Sequence, residues 1–323
     1  MGDFHGHLML RAEARDDGLT TLAGQSFRAP FHVGKAYWDE DGRALRVQVV
    51  NPTAGILEGD KLEMNVGVGK GAALLVTTPS ASRVFRMRSG EAAGVQKFSV
   101  EAGGWLEFLP EPLVPHHGSS YRQTTEIDVA EGGEIAFADL LMPGRIARGE
   151  TWAWSRLRLE LTVRVGGELI LRERLDQSGE EMRALAKLAG VGGERKSEEG
   201  RVKGESGRGV FNREGTRRVA NGKAGVNADE VEAGVGAEAD ACCFGNVVIV
   251  SRALEEGGAW RERMEALHGA RAWVGVSALR GNCGGWSLKI VAVDGAELRR
   301  VMSEVREILA ERLPRMRASL RRV

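Results

Sequence analysis

The sequence predicts a mainly β protein, built as superhelical or solenoid-like stacked β-sheets, with two helices in its C-terminal part. Three observations predict it. Short apolar runs bounded by Gly, Pro and Asn follow one another from Ala44 to Leu175. Glycine supplies 44 of 323 residues, about twice its usual share of ~7%, which provides many tight turns. A glycine-centred pattern also returns at a near-constant interval along the chain.

The strand-like runs cover 45–50, 62–68, 72–78, 95–100, 123–129, 134–138, 157–165 and 168–175. Leu157, Leu159, Leu161, Val163 and Val165 alternate with polar residues, the period of a strand with one buried face. The recurring pattern is V-x-x-G-[AG]-x-[LI]. It occurs at Val68/Gly71/Ala72/Leu74, Val100/Gly103/Gly104/Leu106, Val129/Gly132/Gly133/Ile135 and Val163/Gly166/Gly167/Leu169, in steps of 32, 29 and 34 residues. Each copy ends one strand, turns through glycine and begins another, a hairpin-like unit that stacks on its neighbours.

Residues 190–241 are dominated by Gly, Glu, Lys, Arg, Ser and Asn, with Phe211 the sole aromatic. They read as a flexible insertion between a β-rich core, 1–189, and a segment, 242–323, that completes the same domain. Beyond it, 246–251, 272–278 and 286–293 are expected strands, with a helix near 259–268. The last helix begins at a capping box, with Asp294 as N-cap and Glu297 reaching back. Leu298, Val301, Val305, Ile308 and Leu309 share one helical face, and Pro314 ends the helix before the basic tail Arg315, Arg317, Arg321 and Arg322.

Charge and cysteine content restrict the function. Forty-five basic residues balance forty-five acidic ones, so no overall positive field exists to hold nucleic acid or an anionic membrane. Three cysteines, Cys242, Cys243 and Cys283, are no disulfide framework and suit a reducing compartment, so a cytoplasmic location is expected. Met1 to Arg15 lacks the pattern of a secretory signal. Phosphate-loop, nucleophile-elbow, H-E-x-x-H and C-x-x-C signatures are missing. Gly67-Val68-Gly69-Lys70-Gly71 joins two strands and is read as a turn.

The repeat register singles out two acids. Seven residues beyond the first glycine of each copy stand Thr78, Pro110, Asp139 and Glu173. On stacked strands, matching positions lie ~4.8 Å apart, so Asp139 and Glu173 are expected to share a cation or a proton. The plain alternative pairs Glu173 with a neighbouring arginine and lets Asp139 cap a turn. His5 and His7 form an H-x-H pair on one strand face, which suits nickel, copper or zinc or is simply a polar edge. His116 and His117 follow Pro115 in an expected loop and are read as solvated.

Four ordered motifs then carry a resemblance. Asn51 to Asp60 is similar to P-x-G-G-[LIV]-x-G-G-D, and Thr77 to Arg86 to T-P-[GS]-A-[ST]-K-x-[YF]-R. Leu106-Glu107-Phe108-Leu109-Pro110 is similar to L-E-W-L-P. Asp139 to Arg145, continued by Arg148 to Thr151, is similar to D-x-x-x-x-G-R-x-x-x-G-E. These stretches resemble the urease accessory protein UreD (UreH) family. Ala54, Glu58, Arg83 and Pro112 depart from its motifs.

The resemblance implies a non-enzymatic β-rich scaffold and metallochaperone for nickel incorporation into urease. It also implies a complex with UreF, through it UreG, and urease apoprotein, with a dimer of heterodimers as one arrangement. Nickel would be in transit, with no tightly bound cofactor. By resemblance Ser82, Asp139 and Glu173 line the nickel path, while Asp60, Arg86, Arg145 and Glu150 are structural or interface residues. Oxygen ligands hold a divalent ion loosely enough to pass it on. Two alternatives remain at this point. One is a solenoid-like carbohydrate-active enzyme with Asp139 and Glu173 as its carboxyl pair, though 6% aromatic residues offer little sugar stacking. The other is a purely structural adaptor.

Overall fold

The chain alternates between two facing sheets. The computed structural model describes residues 5–38, 44–188, 242–254, 258–281 and 283–316, so the expected insertion and the end of the basic tail lie outside the described residues. The elements in chain order begin with β1 (His5–Ala14), β2 (Thr20–Arg28), β3 (His32–Val33), β4 (Tyr37–Trp38) and β5 (Ala44–Val50). Next come β6 (Lys61–Val68), β7 (Ala73–Thr77), β8 (Ser82–Val84), β9 (Ala92–Val100), β10 (Trp105–Leu109), β11 (Leu113–Pro115), β12 (Ser120–Val129) and β13 (Glu134–Leu141). A small ribbon, β14 (Gly144–Arg145) and β15 (Glu150–Thr151), precedes β16 (Arg156–Val165), β17 (Glu168–Gln177) and helix α1 (Gly179–Leu188). The last part holds β18 (Cys243–Val250), α2 (Ala259–Glu265), β19 (Ala272–Ala278), β20 (Gly285–Ala292) and α3 (Gly295–Ala310).

One sheet runs β17-β16-β12-β9-β6-β1-β2, and the other runs β19-β20-β18-β13-β10-β7-β5-β3 with β4, β8 and β11 attached. Strands β1, β6, β9, β12 and β16 are parallel in the first, as are β5, β7, β10 and β13 in the second. The result is a β-solenoid of about four coils, as the glycine repeat predicts.

The repeat is a solenoid corner rather than a hairpin in its first three copies. There it carries the chain from one sheet to the other, and the matching residues Ala73, Trp105 and Glu134 fall in register on β7, β10 and β13. Successive corners bond directly, Glu101 N to Val68 O at 2.9 Å and Ala130 N to Val100 O at 2.8 Å. A Cβ on Gly104 would lie 2.9 Å from the Gly69 carbonyl, so this stacking requires glycine there. The fourth copy is a true hairpin, because β16 and β17 pair antiparallel within one sheet. The expected stacking of Glu173 beside Asp139 on a neighbouring strand is therefore corrected: β17 and β13 belong to different sheets.

Apolar side chains from both sheets fill the space between them, among them Leu10, Val66, Leu74, Leu106, Ile127 and Ile135. Phe98, Phe108 and Phe137 form a ring cluster with centroids 4.8–5.5 Å apart. On the outer face of the second sheet, Leu298, Val301, Val305, Ile308 and Leu309 of α3 cover Ala136, Ala138, Val247 and Ile249. This is the apolar face read from the sequence. Asp294 caps α3, accepting from Glu297 N at 2.8 Å, whereas the Glu297 carboxylate meets Arg300 and Arg271 instead of reaching back. The helix ends at Ala310, and Pro314 opens a further helical turn rather than ending α3. Helix α1 was not foreseen, although Ser178 and Glu181 form its reciprocal capping box at 3.2 and 2.6 Å.

Candidate functional site

Thr78 and Pro110 directly follow β7 and β10, and Asp139 lies near the end of β13, beyond the stretches in which the three strands pair in register. All three line a cavity of about 110 Å³ between the sheets. Ser82, which opens β8 just after this turn, lines the same cavity. The opposite sheet contributes Gln96, Tyr121 and Gln123.

Asp139 is the acid of this cavity that burial perturbs. Loss of hydration pushes its carboxyl up to about 6, opposed by the Lys289 ammonium. The Tyr121 hydroxyl is held well above the usual phenol range by burial and, secondarily, by the Asp139 charge, and it donates to Gln123 Oε1 at 3.2 Å. Gly94 makes room for it, since a Cβ there would lie 2.3 Å from Tyr121 Oη. Sequence reasoning missed Tyr121 and Gly94, because only the register between β9 and β12 brings them together.

Glu173 approaches from the other sheet. Asp139 pairs with Asn246 across β13 and β18, and Asn246 pairs with Lys289 across β18 and β20, so the three side chains share one face. Asn246 Nδ2 donates to Glu173 Oε2 at 2.9 Å, and Lys289 Nζ donates to Asn246 Oδ1 at 2.7 Å and pairs with Glu173. The partner of Glu173 is thus Lys289, not a flanking arginine; Arg174 pairs with Glu160 and Asp176. Glu173 does not line the cavity that holds Ser82 and Asp139, but Asn246 stands between the two acids.

The histidines divide. His116 is buried, 3% exposed, with its ring edge-on to Phe85 at 4.8 Å and Nε2 unpartnered, correcting its reading as solvated. His117 is exposed, as expected. His5 is exposed and His7 Nε2 lies 3.0 Å from Ser26 Oγ. Among the described residues, no three His, Cys, Asp or Glu side chains form a metal-holding group.

Comparison with known proteins decides the family. The family model described as "UreD urease accessory protein" matches residues 5–196. The chain is 49% identical over 321 residues to the urease accessory protein UreD of Opitutus terrae, covering 99% of this chain and 100% of that one. It belongs to the UreD family. It is 30% identical over 166 residues to the UreD protein of Acetivibrio thermocellus, which spans 51% of this chain and 63% of the relative. The UreD protein of Haloarcula marismortui is 37% identical over 152 residues, 47% of this chain and 50% of the relative.

As a UreD family member the chain is a non-catalytic accessory protein involved in urease maturation, which sets aside the carbohydrate-active reading. The residues that the sequence resemblance singled out lie in the structure at the following places. Asp60 is buried and its Oδ2 accepts from Leu57 N at 2.8 Å, tying the turn before β6. Arg145 and Glu150 form a two-pronged ion pair across the β14–β15 ribbon, with Arg145 Nε to Glu150 Oε2 at 2.8 Å. That guanidinium holds the Glu150 carboxyl below the usual carboxylate range. Arg86 is exposed against Gly118. Among the described residues of this UreD chain, no helix is long and apolar enough to cross a membrane.

Proposed function

We propose that this chain acts in the cytoplasm as the scaffold and conduit through which nickel reaches urease apoprotein, in a complex with UreF and, through it, UreG. Ser82, Asp139 and Glu173 are the oxygen donors of that route. The single observation that carries the reading is the shared cavity of Ser82 and Asp139 between the two sheets. Support for Glu173 as the continuation comes from Asn246, which is in register with Asp139 and hydrogen-bonded to Glu173.

The donor chemistry suits a cargo ion. Carboxylate and hydroxyl oxygens bind divalent nickel without the geometry and affinity of an imidazole or thiolate cage, so the ion can be released. Asp60, Arg86, Arg145 and Glu150 act in this reading by fixing the loops and ribbon around the route and offering partner contacts.

The test is co-expression of urease apoprotein and its other accessory proteins with this chain, with Asp139→Asn, with Glu173→Gln and without it. Nickel content and urease activity should fall in both variants while pull-down of UreF persists. Full nickel loading with either variant would remove that residue from the route, and full loading without the chain would reject the role altogether.

A further inference from the structure

The Glu173–Asn246 pair, outside the cavity but linked to Asp139 through the β13–β18 register, already holds a cation. Lys289 Nζ pairs with Glu173 and donates to Asn246 Oδ1 at 2.7 Å, while the other atom of the same amide, Nδ2, donates to Glu173 Oε2 at 2.9 Å. The three side chains form a closed triangle beside Asp139, which is in register with Asn246. The ends of the triangle differ in freedom. The Lys289 side chain is 49% exposed and Glu173 28% exposed, so the ammonium on its long stem can swing into water while the anion stays.

We propose that Lys289 is the resident counter-ion of the metal route, occupying the Glu173–Asn246 end in the metal-free chain and leaving when a divalent cation arrives. The proposal rests on the metal-route reading and names the residue that sets how loosely the ion is held. Removal of the ammonium frees Glu173 Oε1 and Asn246 Oδ1 as hard donors, on the strand face that Asn246 shares with the Asp139 carboxylate, while Glu173 Oε2 keeps its bond from Asn246 Nδ2. A returning ammonium competes with the bound ion for the same oxygens, and its charge weakens the ion's hold through a short distance. A conduit needs this weakening, because an ion held by unopposed carboxylates would stay.

A purely structural ion pair predicts something else. Deleting Lys289 would then cost a little stability and leave metal affinity unchanged.

The experiment titrates nickel chloride alone into the purified full chain, against a competing chelating dye, for the wild type, Lys289→Met, Lys289→Gln and Lys289→Arg. Both neutral variants should bind nickel about tenfold tighter and surrender it more slowly to excess chelator, since a unit charge close to the ion is gone. Lys289→Arg keeps the charge and should stay within about twofold of wild type, and adding Asp139→Asn to Lys289→Met should abolish the gain. Circular dichroism and melting curves establish that each variant is folded; Lys289→Gln serves if Lys289→Met is not. Folded neutral variants that bind nickel no tighter than wild type would overturn the proposal. If Asp139→Asn and Glu173→Gln alone leave nickel binding untouched, it is the route reading that fails; if they weaken it and the neutral Lys289 variants do not strengthen it, only the counter-ion fails.

Discussion

Arg306 Nε donates to Glu107 Oε1 at 2.7 Å across 199 residues of sequence, with the two side chains only 7% and 3% exposed. The pair fixes α3 to β10 inside an otherwise apolar layer that includes Ala136, Val305 and Leu309. Arg306→Met should cost about 3–5 kcal/mol in urea unfolding, because it removes the ion-pair partner of a buried carboxylate. The double variant Glu107→Leu/Arg306→Met should recover most of that loss. A cost below about 1 kcal/mol for Arg306→Met would show that water or another group satisfies Glu107.

Gly94 and Tyr121 make a second pair whose coupling is directly measurable. A methyl group at 94 would lie 2.3 Å from Tyr121 Oη and 3.2 Å from its Cζ, so Gly94→Ala must push the ring into the cavity. We expect a loss of about 1–3 kcal/mol, as for other overpacked sites. Tyr121→Phe in the Gly94→Ala background should return part of it, since the closest atom is then gone. Strictly additive effects in this double-mutant cycle would contradict the contact.

The sequence carried the solenoid because its corners are written in glycine. Gly71, Gly103 and Gly132 all take positive φ, and the spacing alone picks out Thr78, Pro110 and Asp139, which line one cavity. Glu173 was harder to place. A corner and a hairpin have the same local signature, V-x-x-G-G-x-[LI], and only the partner of the outgoing strand tells them apart. Long-range pairing decided it: β18 takes the place beside β13 that the fourth coil would have filled. Asn246 and Lys289 were invisible for the same reason, lying 107 and 150 residues beyond Asp139 in sequence and reaching it only through β18 and β20. His116 was misread because a Pro-His-His-Gly stretch looks like solvated loop, whereas Phe85 packs over the ring. Helix α1 is a different kind of miss, because its capping box is present in Ser178-Gly179-Glu180-Glu181 and was not read as a helix start.

Burial first, and Arg145 second, hold the His116 imidazole below its ordinary value of 6.5. In the unfolded chain the ring takes its proton near 6.5, and in the folded chain only at lower pH, so between the two the unfolded state binds more protons. Stability therefore falls as pH drops through that window. His116→Phe keeps the ring against Phe85 and removes the titration. Its melting temperature should drop less than that of the wild type between pH 7.5 and pH 5. Parallel curves would mean that His116 is not the group responsible.

Asp139 has the opposite relation between charge and folding. Its carboxyl is pushed up to about 6 from an ordinary 3.8, so between those values the folded chain binds more protons than the unfolded one. Stability is then lost as pH rises through the window, and above about 6 the full penalty is present. Asp139→Asn removes it. The variant should be more stable than wild type by roughly 1–3 kcal/mol at pH 7.5, with the gain shrinking as pH is lowered toward 4. Denaturant unfolding at both pH values measures this. A variant that is less stable at pH 7.5, or whose gain is the same at both pH values, would mean that the Asp139 charge costs the fold nothing. The expected result carries a functional argument, because a charge that opposes folding and lines a cavity needs a reason other than stability, and holding a passing cation supplies one.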